Sequence, residues 1–84
     1  MENYIIMCRS ITHAQRGAHL LERANVRVGI VKAPQGASTE GCSYGLRVSG
    51  RNMYKALEIL KRAGVRFGHV FMLHADGNVS EVEL

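Results

Sequence analysis

A cysteine in a loop of small and polar residues is the first feature of this sequence that could carry chemistry. Cys42 stands near the end of residues 32–43, KAPQGASTEGCS, a stretch that also contains two glycines and several hydroxyl side chains. The thiolate is the reactive form of cysteine, and cations or a helix N-terminus lower the thiol pKa. The loop position therefore predicts a reactive thiol at Cys42. The alternative, an inert cysteine that only fills space, stays open on the residues alone.

The second cysteine has a different setting. Cys8 ends the apolar run YIIMC, which favours burial of its side chain in the core. It could act as a resolving thiol for Cys42 only if the two Cα atoms came within about 7 Å. Two cysteines are too few for a disulfide framework, so the composition favours a reducing, cytoplasmic setting.

An internal repeat indicates which elements would position these cysteines. The segments LLERANVRVGIV (residues 20–31) and ILKRAGVRFGHV (residues 59–70) lie 39 residues apart and are identical at seven of twelve positions. Each copy has the pattern of a helix end, a left-handed stop at Asn25 or Gly64, and then a strand. Two copies are too few for a solenoid, so they predict one domain made of two similar halves.

The same offset, extended backwards, predicts the remaining elements. Apolar runs of strand length occupy Asn3–Cys8 and Tyr44–Ser49. Apolar residues at helical spacing predict a first helix from Thr12 to Ala24, with capping-box spacing between Thr12 and Gln15, and a second helix in the other half. The residues that mark the two helix faces are Ile11, Ala14, Ala18 and Leu21, and Met53, Leu57, Leu60 and Gly64.

The resulting order β-α-β-β-α-β predicts a single domain of the α+β class over residues 1–84. Two split β-α-β units with both helices on one face give a ferredoxin-like two-layer sandwich, with an antiparallel sheet in the order 4-1-3-2. Residues 75–84 form an acidic tail that could add a short edge strand. The uncovered sheet face would carry apolar side chains such as Ile5, Met7 and Val31, which favours a homodimer through that face.

This topology brings the loop cysteine to the start of the first helix. The second strand runs parallel to the first, so residues 32–43 leave the sheet at the end where the first helix begins. We therefore expect Cys42 near Arg9, Ser10 and Lys32, where cations and helix N–H groups would lower its pKa. The second helix also ends there and adds further basic residues and a histidine to this region, namely Lys61, Arg62, Arg66 and His13.

The residues around this region resemble a known family. A start of the form Y-I-I-x-C-x-S-x-T-x-A, a Gly/Ser-rich loop and a cysteine leading into a G-[LIM]-x-[VLF] strand are similar to the putative Se/S carrier protein-like family over most of residues 3–74. In the family pattern the cysteine directly precedes the glycine, whereas here Ser43 and Tyr44 separate them. The matching residues are Tyr4, Ile5, Ile6, Ser10, Thr12, Ala14, residues 21–25, Pro34, Cys42 and residues 45–48.

The resemblance implies a small protein that carries sulfur or selenium as a persulfide or perselenide on Cys42 and passes it to an acceptor. It would be a transfer protein rather than a turnover enzyme, with no metal and no cofactor. Its partners would be donor and acceptor proteins such as a cysteine desulfurase or a selenium-metabolism enzyme. N–H groups and cations would stabilise the anionic terminal atom. The residues expected to do so are Arg9, Ser10, Thr12, Lys32 and Gly41.

The charge distribution keeps two other functions open. Residues 1–75 contain all eleven Lys and Arg against four acidic residues, a net charge of +7, whereas the last nine residues carry −3. A basic body suggests anionic partners, and RNA is one of them. However, the sequence lacks the mid-strand aromatic motif of RNA-binding sheets, which makes RNA the weaker alternative. A non-catalytic module that binds a small ligand or a protein is the other alternative, and it predicts that Cys42→Ser changes nothing.

Several other sites and classes lack their sequence signature. The four histidines and two cysteines form no C-x-x-C or H-x-x-x-H pair, so no metal site is predicted. Residues 36–41 have the glycine spacing of a phosphate loop, but Cys42 stands where the lysine belongs. The only aspartate, Asp76, lies in a turn signal, which disfavours a Ser-His-Asp site. No apolar run approaches the roughly 20 residues of a membrane helix, and the first residues lack the pattern of a secretory signal.

Overall fold

The chain folds in the order β-α-β-β-α-β, followed by one further strand. The structure is a computed structural model that describes residues 3–8, 10–32 and 44–82. The described elements are β1 (Asn3–Cys8), α1 (Ile11–Arg23), β2 (Gly29–Lys32), β3 (Tyr44–Ser49), a 3₁₀ turn (Gly50–Asn52), α2 (Met53–Arg62), β4 (Phe67–Leu73) and β5 (Val79–Val82).

The strands form one antiparallel sheet in the order β2-β3-β1-β4-β5, so the predicted α+β class is confirmed. β1 is central and pairs with β3 on one side and with β4 on the other. The sheet has five strands rather than the four of the predicted order 4-1-3-2. The additional strand is β5, which lies within the acidic tail and pairs along β4.

Both helices pack against the same face of the sheet and form the main core with it. Ile6 of β1, Leu46 of β3 and Val70 of β4 are in register across the sheet and are almost completely buried. Burial of each such side chain contributes about 1.5–3 kcal/mol. The buried helix residues that meet them are Ala14, Ala18 and Leu21 of α1 and Met53, Ala56, Leu57 and Leu60 of α2. Ile11 was predicted on this face of α1, but it lies in the first turn and is 39% exposed.

The two helix ends confirm the repeat. Asn25 and Gly64 both adopt the left-handed conformation, with φ of 63° and 73°. In the first half the N–H of Val26 donates to the carbonyl of Leu21 at 2.9 Å. The N–H of Val65 donates to the carbonyl of Leu60 at 3.0 Å in the second half. Together with the bonds from the N–H groups of Asn25 and Gly64 to the carbonyls of Glu22 and Lys61, these define a Schellman motif in each half.

The other sheet face carries a second apolar cluster. Ile5, Met7 and Phe71 form it, and their exposed fractions are only 4%, 2% and 5%. Among the described residues the members of this cluster all come from strands. These side chains are therefore buried within the single chain, and the exposed apolar surface that motivated a homodimer is not found at these three residues. The oligomeric state stays a prediction.

A tight turn sets the position of β5. The N–H of His74 donates to the carbonyl of Asn78 at 2.8 Å, and Gly77 takes a φ of 92°. The Asp76 carboxylate accepts a hydrogen bond from the backbone N–H of Asn78 at 3.0 Å and lies 3.0 Å from its side-chain amide nitrogen. The backbone hydrogen bond from Asn78 is the main cause that lowers the pKa of Asp76 below its usual value.

Candidate functional site

The predicted site residues that the structure describes, namely Cys8, Ser10, Thr12 and Lys32, lie at one end of the sheet, which we call the upper end. It is defined by the last residues of β1 and β2 and the first residues of β3 and β4. The sheet pairings place these strand ends together, because Lys32 pairs with Tyr44 and Cys8 pairs with Phe67. α1 begins at this end and α2 finishes there, as the topology predicted.

The N-terminus of α1 is fixed by Ser10. Its backbone is extended, with φ −155° and ψ 168°, and its side-chain oxygen accepts a hydrogen bond from the N–H of His13 at 3.3 Å. The carbonyl of Ser10 accepts the first helical hydrogen bond, from Ala14, at 3.0 Å. Ser10 is thus the N-cap, the residue whose side chain satisfies one of the free N–H groups of the first turn.

His13 contributes a second contact to this cap. Its Nδ1 atom lies 2.8 Å from the Oγ atom of Ser10. In a capping box this position is occupied by Glu or Gln, which bonds the backbone N–H of the N-cap residue. The imidazole of His13 instead contacts the side chain of Ser10. The predicted capping box at Thr12 and Gln15 is therefore wrong. Thr12 is an exposed residue inside the first turn, and the structure shows no hydrogen bond from its side chain within the described ranges.

Replacing Ser10 with alanine should lower the free energy of unfolding by about 1 kcal/mol, because the first turn loses its side-chain acceptor. Ser49 is a matched control, since it precedes the 3₁₀ turn without making a side-chain capping bond. Ser49→Ala should change stability by less than about 0.5 kcal/mol. Urea unfolding followed by circular dichroism measures both values, and equal losses in the two variants would contradict the assignment of the cap.

Cys8 lies in the core, as predicted. Its side chain is 1% exposed and belongs to the cluster between the sheet and the helices. The Sγ atom lies 3.7 Å from the carbonyl oxygen of Ile6, within reach of a weak S–H hydrogen bond. A thiol in this position is shielded from reagents in solution, whereas a carrier thiol, as expected of Cys42, must be accessible to them.

Three of the predicted site residues lie outside the described residues: Cys42, Arg9 and Gly41. Of the others, Lys32 is exposed at the end of β2. β2 is separated from β1 by β3, so the backbones of Lys32 and the α1 start are about two strand spacings, or 10 Å, apart. Lys32 therefore joins the upper end of the sheet but is not adjacent to Ser10.

The basic residues of the second half also lie at the upper end. Arg62 forms an ion pair with Glu58 one turn earlier, at 2.7 Å, and both side chains are largely exposed. Lys61 and Arg66 have no carboxylate partner among the residues that the structure describes. Their positive charge is therefore available to a ligand, whereas the charge of Arg62 is partly compensated.

One feature of this end was missed from the sequence. The pairing of β1 with β4 shifts between Ile6 and Cys8, so that β4 has one more residue than β1 in this interval. This is a β-bulge, which leaves one residue out of the ladder and bends the strand. Gly68 lies in the bulged segment, and a glycine inside a strand pattern was the available signal.

The described residues contain no group of three His, Cys, Asp or Glu side chains arranged to hold a metal ion. Within the described ranges, neither α1 nor α2 is long and apolar enough to cross a membrane.

Comparison with known protein families gives a match that covers most of the chain. The family model described as "Putative Se/S carrier protein-like" matches residues 3–71 of the chain. No curated protein and no solved structure matches. The matched range covers both helices, the first three strands and most of β4, and it contains both cysteines.

Proposed function

The chain belongs to the putative Se/S carrier protein-like family, and on this basis we propose that it carries a sulfur or selenium atom on Cys42. The family match is the observation that carries the proposal, because its range includes Cys42 and most of the domain. The cargo would be bound as a persulfide or perselenide and passed to an acceptor protein. The donor would be an enzyme that forms a persulfide on its own cysteine, such as a cysteine desulfurase.

The loading step transfers the terminal sulfur atom of the donor persulfide from the donor cysteine to Cys42. The Cys42 thiolate attacks the terminal sulfur of the donor persulfide, an S–S bond forms to Cys42, and the S–S bond of the donor breaks. The donor cysteine leaves as a thiolate and takes up the proton that Cys42 lost, so no oxidant or reductant is consumed. Delivery repeats the step with the acceptor thiol as the nucleophile.

The described part of the upper end offers support for an anionic terminal atom. α1 has thirteen residues and is capped by Ser10, so free N–H groups and the positive end of the helix dipole lie at this end. Only Ser43 separates Cys42 from Tyr44, the first residue of β3. A two-residue link spans at most about 7 Å. Lys32 supplies a cation at this point of the sheet, because it pairs with Tyr44.

Cys8 is proposed to be structural. Its burial would require the core between α1 and the sheet to open before the thiol could meet a second sulfur atom. A resolving role for Cys8 would therefore need a conformational change, whereas the proposed carriage on Cys42 alone does not involve Cys8. This difference makes Cys8 the matched control for experiments on Cys42.

The test is to incubate the reduced protein with a cysteine desulfurase and cysteine and then to measure the intact mass. We expect the wild-type protein and Cys8→Ala to gain one sulfur atom and Cys42→Ser to gain none. With selenocysteine as the substrate, a selenium carrier would gain one selenium atom at the same residue. Absence of a gain in the wild-type protein, or a gain retained in Cys42→Ser, would contradict the proposal and favour the binding-module alternative.

The thiol itself can be tested without any donor. The rate of alkylation by iodoacetamide, measured against pH in Cys8→Ala, should rise with a midpoint below the free-thiol pKa of about 8.5. A midpoint at or above that value would mean that the surroundings of Cys42 do not stabilise the thiolate. The same protein unfolded in urea gives the reference midpoint.

A further inference from the structure

The two halves of the repeat each form a groove beside the end of a helix. The lower groove lies at the end of α1 and has a volume of about 600 Å³; its lining is Glu22, Asn25, Val26, Arg27 and Val28. The upper groove lies at the end of α2 and has a volume of about 510 Å³; its lining is Lys61, Val65, Arg66, Phe67 and Gly68. Both volumes fall within the range of small-molecule sites, about 300–1,000 Å³.

The grooves are equivalent positions of one repeat. The offset of 39 residues relates Val26 to Val65 and Arg27 to Arg66, and both pairs are identical. Each arginine follows the same Schellman motif and precedes a strand, β2 in the first half and β4 in the second, so the local backbone is alike in the two halves. The lower groove is therefore an internal reference for the upper one.

The equivalent linings differ in charge. Glu22 of the lower groove corresponds to Lys61 of the upper groove. The lower groove thus combines a carboxylate with Arg27, whereas the upper groove combines two cations. Neither cation of the upper groove has a carboxylate partner among the residues with described positions. The helix dipole favours a cation in the last turn of α2, which accounts for Lys61. It does not account for Arg66, because this residue lies beyond the end of the helix.

The linings also differ in shape. Val28 of the lower groove corresponds to Phe67, which adds a half-buried aromatic ring to the upper groove. The β-bulge occurs in β4 next to this ring, whereas β2 pairs with β3 without a register shift. A Cβ at Gly68 would meet only the carbonyl oxygen of Met7, at 3.8 Å, so the groove is open above the bulge. Bulges commonly mark functional sites.

We propose that the upper groove binds a small molecule that joins an oxyanion, such as a phosphate or carboxylate group, to a flat apolar ring. The guanidinium group of Arg66 matches the paired oxygens of such an anion, and Lys61 adds a point charge. Phe67 provides the apolar contact for the ring. This site goes beyond the proposed sulfur carriage and does not require Cys42.

Phenyl phosphate is the simplest probe that contains both parts, with inorganic phosphate and phenol as its fragments. Titration of the full chain, followed by NMR of backbone amides, should give saturable shifts at residues 65–68 for phenyl phosphate. Both fragments should bind more weakly. Lys61→Glu and Arg66→Gln should each weaken binding about tenfold, as expected for loss of a charged hydrogen bond. The same titration with Cys42→Ser should match the wild-type protein, which separates this site from sulfur carriage.

A charge swap distinguishes a built site from general attraction to a basic protein. Glu22→Lys combined with Lys61→Glu keeps the net charge at +4 and exchanges the charges of these two equivalent positions between the grooves. We expect this double variant to lose the shifts at residues 65–68, with its fold checked by the amide spectrum. Binding that persists in the double variant would overturn the proposal. So would binding of phosphate alone as tightly as phenyl phosphate, or shifts spread over the whole basic surface.

Discussion

Replacing Gly45 with valine should lower the free energy of unfolding by about 3 kcal/mol, the upper part of the usual range for overpacking. A Cβ at Gly45 would lie 2.7 Å from Cγ2 of Ile5 and 2.9 Å from Sδ of Met7. It would also lie 3.1 Å from the backbone oxygen of Ile6, which cannot move without disturbing the central strand. Gly45 pairs with Met7 across the sheet, so the absence of a side chain is what allows Met7 to be buried there.

Gly29→Val is the matched control for this prediction. Gly29 lies in β2, the neighbouring strand, and a Cβ at that position would meet no atom within 4 Å. Valine is favoured in strands, so Gly29→Val should leave stability unchanged or raise it by a few tenths of a kcal/mol. Urea unfolding of both variants gives the comparison. If Gly29→Val lowered the free energy of unfolding as much as Gly45→Val, the loss would come from replacing any strand glycine rather than from the close contacts at Gly45.

Leu21→Ala and Leu60→Ala should each lower the free energy of unfolding by about 2–5 kcal/mol, because each leaves a cavity in the core. The two leucines are equivalent in the repeat, both are 0% exposed, and the carbonyl oxygen of each accepts a hydrogen bond of the Schellman motif. We therefore expect the two losses to be similar. A domain of this length has a total stability of only about 4–13 kcal/mol, so either variant could be largely unfolded on warming.

Lys55→Ala is the control for the leucine variants, because Lys55 is an exposed residue of α2. Its effect should stay within about 0.5 kcal/mol. Thermal unfolding and urea unfolding would provide the values, with the midpoint of the urea transition compared at equal slope. If one leucine variant lost less than about 1 kcal/mol of stability while the other lost about 2 kcal/mol or more, the two leucines would not be equivalent in the core.

The candidate site was only partly predictable. The sequence correctly predicted a helix start, a strand end and basic residues at one end of the sheet, because the repeat defines which elements run parallel. It predicted Thr12 as the cap, whereas the structure uses Ser10 with His13 as its partner. The two positions lie two residues apart, and both carry the hydroxyl side chains that caps prefer. Ser10 is the cap because its backbone is extended and the helix begins directly after it. The position of this transition depends on where β1 leaves the sheet.

The sequence by itself determined the helices and their left-handed stops at Asn25 and Gly64, because these follow from contacts between near neighbours in the chain. It also predicted the burial of Cys8, because this residue ends an apolar run of strand length. Only the tertiary structure decided the bulge in β4, the register in which β5 pairs with β4, and the burial of Met7 opposite Gly45, which has no side chain to obstruct it. These features depend on the register between strands that lie far apart in sequence. Local periodicity shows which face a residue occupies, but it does not show which distant residue lies opposite.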